Sequence, residues 1–277
     1  MKFPGTAAYT AVLWLFCCNV VADNATNSPI ASVISFAGEK LALNAYLFRP
    51  ETPGSHPVII WNHGSPKPIL QSGPVSRFDA LADYFLQRGF VLFIPDRRAR
   101  NVVFSDGEAV DTDQEATASA RRALKESLDE NHSDFQSAVR WLKKQAFVDP
   151  TKIFLGGYSS GAVQALYEAG VTSDVRGFIL FTPGSAQWSN SPFLREMMTT
   201  GVKMSKAPIF IVQVQNDAHL QAISTLGKEL AKKGKPNATM VYPPHGKTQK
   251  EASIFALTGV HVWGPDIAGF LDAAMRD

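Results

Sequence analysis

Six compact apolar runs recur between residues 57 and 243 of the chain, and amphipathic stretches separate them. Apolar strands without polar alternation suit a parallel sheet that is buried on both faces. The apolar runs occupy residues 57–61, 90–95, 152–156, 177–181, 208–214 and 239–243. The amphipathic stretches occupy residues 77–88, 116–146, 161–169, 221–233 and 265–275. This strand–helix alternation predicts a doubly wound, three-layer α/β domain.

Two further β-rich runs, 30–36 and 41–48, precede the others and flank the turn residues 37–40. This arrangement predicts an antiparallel hairpin at the start of the fold. A chain of 277 residues can form one large α/β domain or two small ones. Because no internal repeat, low-complexity tract or linker divides the sequence, we expect one domain over residues 30–277.

The first 22 residues differ from the rest of the chain. Lys2 precedes an apolar stretch of about a dozen residues, which a small residue closes. This order predicts a secretory signal peptide at residues 1–22, a mature chain that begins near Asp23, and a secreted or periplasmic protein. A short membrane anchor is the alternative, although the stretch is short for a membrane span. Cys17 and Cys18 both lie in this segment, so the mature chain is expected to have no disulfide or thiol chemistry.

The charge and motif content narrow the classes of ligand. The net charge is only +2 at pH 7, so no nucleic-acid partner is expected. No cluster of Cys or His has metal-ligand spacing, and no phosphate-binding loop occurs, so neither a metal nor a cofactor is expected. A small-molecule substrate is the expected partner, no stable membrane insertion is expected, and the oligomeric state stays open.

The motif Gly157-Tyr158-Ser159-Ser160-Gly161 has the pattern G-x-S-x-G. It follows the apolar run KIFL and opens a helical stretch, which is the strand–turn–helix setting of a nucleophile elbow. Such an elbow presents the Ser159 hydroxyl at a helix N-terminus and directs the Ser160 backbone N–H to an oxyanion hole. The Ser160 side chain has no part in this scheme, so its removal is expected to be largely tolerated. A tight structural turn with an idle serine is the alternative.

A second motif, Asn62-His63-Gly64-Ser65, ends the apolar run 57–61. In hydrolases of this architecture a His-Gly loop at this place supplies the other oxyanion N–H group, here expected from Ser65. His63 lies on the wrong loop to be the catalytic base, so a structural role is expected for it.

Together these segments resemble the α/β-hydrolases, and specifically the dienelactone hydrolase family in its broad sense. The resemblance covers roughly residues 30–275 and rests on WNHGS, LADYFLQRGFVLFIPDRR, DFQSAVRWLKKQAFVDPTKIFLGGYSSG, VQVQNDAHL and VWGPDIAGFLD. It implies a three-layer α/β-hydrolase fold with a mostly parallel eight-stranded sheet. It also implies a serine hydrolase whose triad follows the order Ser, acid, His along the chain.

Asp217 is the candidate acid, since it lies in the turn that follows the apolar run 208–214. A carboxylate there can accept the imidazole Nδ1–H of the catalytic histidine and hold its tautomer. The alternative for Asp217 is a helix-capping role, because Asp is common just before helices.

The catalytic base is the point where the chain departs from the family pattern. The resemblance implies a histidine at the position of Ser253, and serine cannot act as a general base near neutral pH. His245 and His261 lie in the same predicted loop, near the carboxyl edge of the sheet. Spacing leaves both open, and His261 is slightly favoured because a helix expected to open near Pro265 would fix its position.

These residues predict a secreted serine hydrolase that cleaves an ester, lactone or amide through an acyl-enzyme. The alternative from another class is an exported binding protein that keeps the scaffold and has lost its base at Ser253. Acyl transfer to an acceptor other than water would use the same residues. The loops 96–115 and 183–206 are expected to shape the pocket. Arg97, Arg98 and Arg100 either meet a substrate carboxylate there or lie at the solvated surface.

Overall fold

The structure is a computed structural model that describes residues 29–64, 70, 74–97, 114–185, 188–189, 191–234 and 236–276. The predicted signal peptide (residues 1–22), Ser65, Arg98 and Arg100 lie outside these ranges. The strands are β1 (Ser32–Ala37), β2 (Ala42–Phe48), β3 (His56–Asn62), β4 (Val91–Pro95), β5 (Val148–Tyr158), β6 (Gly177–Phe181), β7 (Ile209–Val214) and β8 (Ala238–Tyr242). The helices are α1 (Asp79–Leu86), α2 (Gln114–Leu142), α3 (Ser160–Val171), α4 (Pro192–Met204), α5 (Gln221–Lys233), α6 (Gln249–Ser253), α7 (Phe255–Thr258) and α8 (Val260–Arg276).

The strands form one eight-stranded sheet in the order β1-β2-β4-β3-β5-β6-β7-β8. β1 pairs with β2 and β2 pairs with β4 in antiparallel fashion, and every other pairing is parallel. The hairpin and the mostly parallel eight-stranded sheet predicted from the sequence are therefore confirmed. Because β5, β7 and β8 run parallel, the segments that follow them lie at one edge of the sheet.

Helices cover both faces of the sheet. Along β3, Val58 and Ile60 belong to a buried cluster that includes side chains of α2 to α5, whereas Ile59 and Trp61 belong to a second cluster with α1 and α6 to α8. All four side chains are fully buried. The apolar runs of the sequence thus lack polar alternation because each strand packs on two helical layers.

The segment 183–206, which was expected to be a loop, contains helix α4 instead. Thr199, Thr200 and Gly201 have low helix propensity, so the local sequence does not predict this helix. Gly201 nevertheless lets α4 pack closely on α3, since a Cβ atom there would lie 2.0 Å from the Leu166 carbonyl oxygen. Tertiary packing therefore overrides local propensity in this helix.

Helix α8 begins at Val260 and not near Pro265, so the expected start of this helix was wrong. The backbone N–H groups of Val262 and Trp263 both donate to the Gly259 carbonyl, at 2.8 and 3.1 Å, and this closes the first turn. Pro265 lies inside the helix and removes only one backbone donor. His261 is consequently part of a helix and not of a loop. Among the described residues, no helix combines the length and apolar character needed to cross a membrane.

A polar contact joins α2 to α3, the helix that begins directly after Ser159. His132 Nδ1 lies 2.6 Å from Glu168 Oε2, and the Glu168 side chain is fully buried. Gln164 donates to Glu168 Oε1 at 2.8 Å. The hydrogen bond to Glu168 raises the pKa of His132, with the Asp129 charge acting in the same direction and burial opposing it. The contact is therefore strongest when the imidazole carries its proton.

We expect the free energy of unfolding to fall as the pH rises through the raised pKa of His132. The stabilisation is fully present below the unfolded pKa of histidine, near 6.5, and is lost above the folded value. The loss is expected to be on the order of 1 kcal/mol, as for a partly exposed pair. Urea unfolding between pH 6 and 9 measures it, with the isosteric Glu168→Gln variant as control. An equal pH slope in that variant would contradict this role.

Candidate active site

Ser159 lies between the last residue of β5 and the first residue of α3. Its backbone has φ +53° and ψ −124°, a region that non-glycine residues rarely adopt and that costs about 1–3 kcal/mol. The Ser159 N–H donates to the Phe181 carbonyl at 2.9 Å, and the Ser159 carbonyl accepts from the N–H groups of Ala162 and Val163 at 3.0 and 3.1 Å. The surrounding sheet and helix therefore hold this serine in a strained conformation at a helix N-terminus, as a nucleophile elbow requires.

The flanking glycines are required by close packing against β3. A Cβ atom on Gly161 would lie 2.1 Å from the Asn62 carbonyl oxygen and 2.7 Å from that of His63. A Cβ atom on Gly157 would lie 2.9 Å from the same Asn62 oxygen. Real Cβ atoms do not approach backbone oxygens this closely, so no larger residue fits without moving the elbow.

We expect Gly161→Ala to lower the free energy of unfolding by about 3 kcal/mol, because the added methyl group meets rigid backbone. The measurement is urea unfolding followed by circular dichroism. Gly269→Ala is the matched control, since nothing lies within 4 Å of a Cβ atom there and Gly269 is exposed inside α8. Alanine in that helical position is expected to stabilise the protein by up to about 1 kcal/mol. Equal stability of the two variants would contradict the steric account.

Asp217 follows β7, at the same sheet edge as Ser159. Its Oδ1 accepts from the Ser185 hydroxyl at 3.0 Å and from the Ala218 N–H at 2.7 Å, and its Oδ2 accepts from the Gln213 amide at 2.8 Å. Burial raises the pKa of the carboxyl, and these three hydrogen bonds oppose the rise, as does the nearby His219 charge. Leu220, not Asp217, is the N-cap of α5, so Asp217 has no helix-capping role.

Thr182 and Ser185 are site residues that the sequence did not reveal. Thr182 directly follows β6 and has φ +54°, an outlier for a β-branched residue. Its N–H donates to the Val212 carbonyl at 2.8 Å, which keeps the turn against β7. This turn leads to Ser185, whose hydroxyl reaches Asp217. Only the proximity of β6 and β7 in space brings these residues together, so no local sequence signal identifies them.

His245 follows β8, and its backbone is bound to the neighbour of the acid. The His245 N–H donates to Asn216 Oδ1 at 2.9 Å, and Asn216 Nδ2 donates to the His245 carbonyl at 3.0 Å. The imidazole packs on the Phe255 ring, with centroids 4.9 Å apart, and its Nε2 lies 2.8 Å from Thr258 Oγ1. The structure thus joins the His245 backbone to Asn216, the residue before Asp217, and directs the ring to Thr258.

His261 and Ser253 are the two remaining positions that the sequence considered for the base. His261 is exposed on the first turn of α8. Ser253 ends α6, and its hydroxyl donates to the Lys250 carbonyl at 2.8 Å. Within the described part of the chain, no histidine forms a hydrogen bond with Asp217. The structure therefore places Ser159, Ser160 and Asp217 at one sheet edge, and the choice of base stays a prediction. No described group of three or more His, Cys, Asp or Glu side chains has the arrangement of a metal site.

The strained turn at Ser159, the carboxylate of Asp217 after β7 and the strand order are compatible with one family. A family model of the dienelactone hydrolase family matches residues 43–258. This chain belongs to the dienelactone hydrolase family. Protein usf from Aquifex pyrophilus is 22% identical over 215 residues, which cover 77% of this chain and 84% of that protein. Membership of this family supports a hydrolase activity.

Solved structures of α/β-hydrolases share the fold. An acylaminoacyl peptidase from Pyrococcus horikoshii superposes with a TM-score of 0.63 at 15% identity, over 88% of this chain and 42% of that one. A Klebsiella pneumoniae protein assigned to the dienelactone hydrolases gives a TM-score of 0.63 at 15% identity, over 89% of this chain and 99% of that one. Est1E from Butyrivibrio proteoclasticus superposes with a TM-score of 0.58 at 17% identity, over 88% of this chain and 99% of that one. At these identities the superpositions show the fold alone.

Proposed function

We propose that the protein is a serine hydrolase that cleaves an ester, lactone or amide through an acyl-enzyme on Ser159. The observation that carries this proposal is the backbone conformation of Ser159, which is strained at φ +53° and held by hydrogen bonds on both sides. A structural turn has no need for such strain at a serine, whereas an elbow uses it to expose the hydroxyl. Family membership supports the same class of reaction.

In this mechanism the Ser159 oxygen attacks the substrate carbonyl carbon, and an imidazole takes the hydroxyl proton. Asp217 accepts the Nδ1–H of that imidazole and stabilises the imidazolium. The Ser160 N–H, in the first turn of α3, and the Ser65 N–H donate to the oxyanion, each contributing about 3 kcal/mol. Collapse of the tetrahedral intermediate transfers the proton to the leaving group, and water then hydrolyses the acyl-enzyme by the same steps.

For the base we propose His245 in preference to His261. The two hydrogen bonds with Asn216 fix the His245 backbone beside the residue that precedes Asp217, whereas His261 is exposed on α8. With the backbone fixed, rotation of the His245 side chain releases Nε2 from Thr258. The cost is one solvent-accessible hydrogen bond, worth about 1 kcal/mol. The base has then moved along the same edge from the position of Ser253.

The second candidate function is a binding protein on a hydrolase scaffold. It is favoured by Ser253 at the family histidine position and by the carboxylate of Asp217, which is already bound by Ser185, Gln213 and Ala218.

Turnover of p-nitrophenyl esters by the wild-type protein separates the two functions. Release of p-nitrophenol, with an intact mass increased by one acyl group after acid quench, supports the hydrolase. Absence of turnover with ester, lactone and amide substrates supports the binding protein. Export through the predicted signal peptide is part of the proposal in either case.

A further inference from the structure

Arg97, which follows β4, lies against the back of the nucleophile elbow. Its Nη2 donates to the Ser160 hydroxyl oxygen at 3.3 Å and also to the His63 carbonyl oxygen. Its backbone N–H lies 3.4 Å from His63 Nε2. Burial lowers the pKa of Arg97 to about 10, so the guanidinium remains charged at neutral pH. The Arg97 guanidinium therefore binds other groups of the protein. It is neither a solvated surface charge nor free to bind a substrate carboxylate, which were the two roles that the sequence left open.

The Ser160 hydroxyl extends the same contact to the next peptide unit. It accepts from Arg97 and donates to the Gly64 carbonyl oxygen at 3.1 Å. Two successive carbonyl oxygens of the loop after β3 are therefore bound: that of His63 by Arg97, and that of Gly64 by the Ser160 hydroxyl. We call the Arg97 guanidinium and the Ser160 hydroxyl together the Arg97–Ser160 brace.

Tyr158 contacts the same loop from the other flank of Ser159. A Cβ atom on Gly64 would lie 2.5 Å from Tyr158 Cε2, so the ring packs directly on the Gly64 backbone. Burial raises the pKa of the Tyr158 phenol, and a hydrogen bond from the Gly64 backbone and the Arg77 and Arg97 charges oppose this rise. Gly64 is consequently held by the residues immediately before and immediately after Ser159.

These contacts set the orientation of the peptide units in the loop. In a trans peptide the C=O and N–H groups point in opposite directions. The Gly64 carbonyl belongs to the same peptide unit as the N–H group that the sequence assigns to the oxyanion hole. A hydroxyl that binds the Gly64 carbonyl oxygen restrains this peptide unit. In the proposed mechanism a donor that points away from the oxyanion would lose most of its effect on the transition state.

We propose that Arg97 and the Ser160 hydroxyl are positioning residues that hold the His63–Gly64 loop in the orientation required by the oxyanion hole. This role rests on the proposed serine hydrolase function. It replaces the sequence-based expectation that removal of the Ser160 side chain is largely tolerated, because the hydroxyl contacts both Arg97 and Gly64. Because the oxyanion forms only in the transition state, the brace acts on kcat and leaves KM nearly unchanged.

The test is a double-mutant cycle with Ser160→Ala and Arg97→Gln, assayed on a p-nitrophenyl ester. Ser160→Ala is expected to lower kcat about tenfold with KM changed by less than about twofold, since it misdirects one oxyanion donor without removing it. Arg97→Gln is expected to lower kcat about tenfold or more, and the double variant to lose about as much as the larger single loss, because the two groups act as one unit. Ser160→Thr, which restores a hydroxyl, is expected to regain most of kcat. Arg122→Gln, an exposed arginine on α2, is the control.

Ser160→Ala decides the outcome if Arg97→Gln does not fold, since it removes one oxygen atom and leaves the partly buried guanidinium its hydrogen bond to the His63 carbonyl. An active wild type with unchanged kcat in Ser160→Ala overturns the brace and leaves the hydrolase function standing. The brace is also overturned if the losses of kcat in the two single variants add up in the double variant, or if the variants change only KM. A wild type without esterase activity overturns the proposed function and the brace together.

Discussion

Ser159→Ala is expected to abolish hydrolysis of an activated ester, with kcat lowered by about 10⁴-fold or more. The reason is geometric, since only the middle residue of the G-x-S-x-G motif presents its side chain to the site, and within this motif Ser159 is the residue with the strained positive φ. The residual rate would come from the oxyanion donors and substrate binding, which do not need the hydroxyl. Steady-state hydrolysis of p-nitrophenyl acetate measures the effect.

Ser173→Ala is the matched control for this variant. Ser173 is exposed just beyond the C-terminus of α3, whereas Ser159 precedes its N-terminus. A helix of this length separates the two serines by about 18 Å. The control is expected to keep wild-type kcat and KM. An Ser159→Ala variant that folds and retains a tenth or more of the wild-type rate would show that another group is the nucleophile.

His245→Ala is expected to be about as damaging as Ser159→Ala, because the members of a triad act as a unit. His261→Ala, at the exposed start of α8, is expected to retain most of the wild-type rate. Steady-state assays of the two variants test both statements.

The reverse result, in which only His261→Ala is inactive, would assign the base to α8 and show that the Asn216 contact is structural. Wild-type hydrolysis in both single variants would show that neither histidine is the base. In that case Ser253→His, which restores the family histidine position, becomes the informative variant, since a site that lost its base at this position should gain rate from it.

The sequence predicted those features that depend on local pattern. The apolar runs predicted the parallel strands, because a strand buried on two faces cannot alternate with polar residues. The glycines around Ser159 predicted the elbow, since its steric requirement falls on residues that are adjacent in the chain. Asp217 could be proposed as the acid for a similar reason, because it lies in the turn after a recognisable strand.

The features that the sequence did not predict depend on contacts between distant segments. Helix α4 contains weak helix formers and is stabilised by its packing on α3 at Gly201. Ser185 reaches Asp217 only because β6 and β7 are neighbours in the sheet. The Ser160 hydroxyl had no predicted role, and its contacts with Arg97 and Gly64 join the start of α3 to the segments that follow β4 and β3. Propensity and spacing carry no information on such contacts.

The central claim, that Ser159 is an activated nucleophile, is tested most directly by labelling with a fluorophosphonate probe. Such a reagent needs an activated serine and depends little on the natural substrate. We expect the wild-type protein to gain one adduct, and peptide mass mapping to place it on Ser159, while Ser159→Ala remains unlabelled. An adduct on Ser160, or no labelling of the folded wild-type protein, would contradict this account.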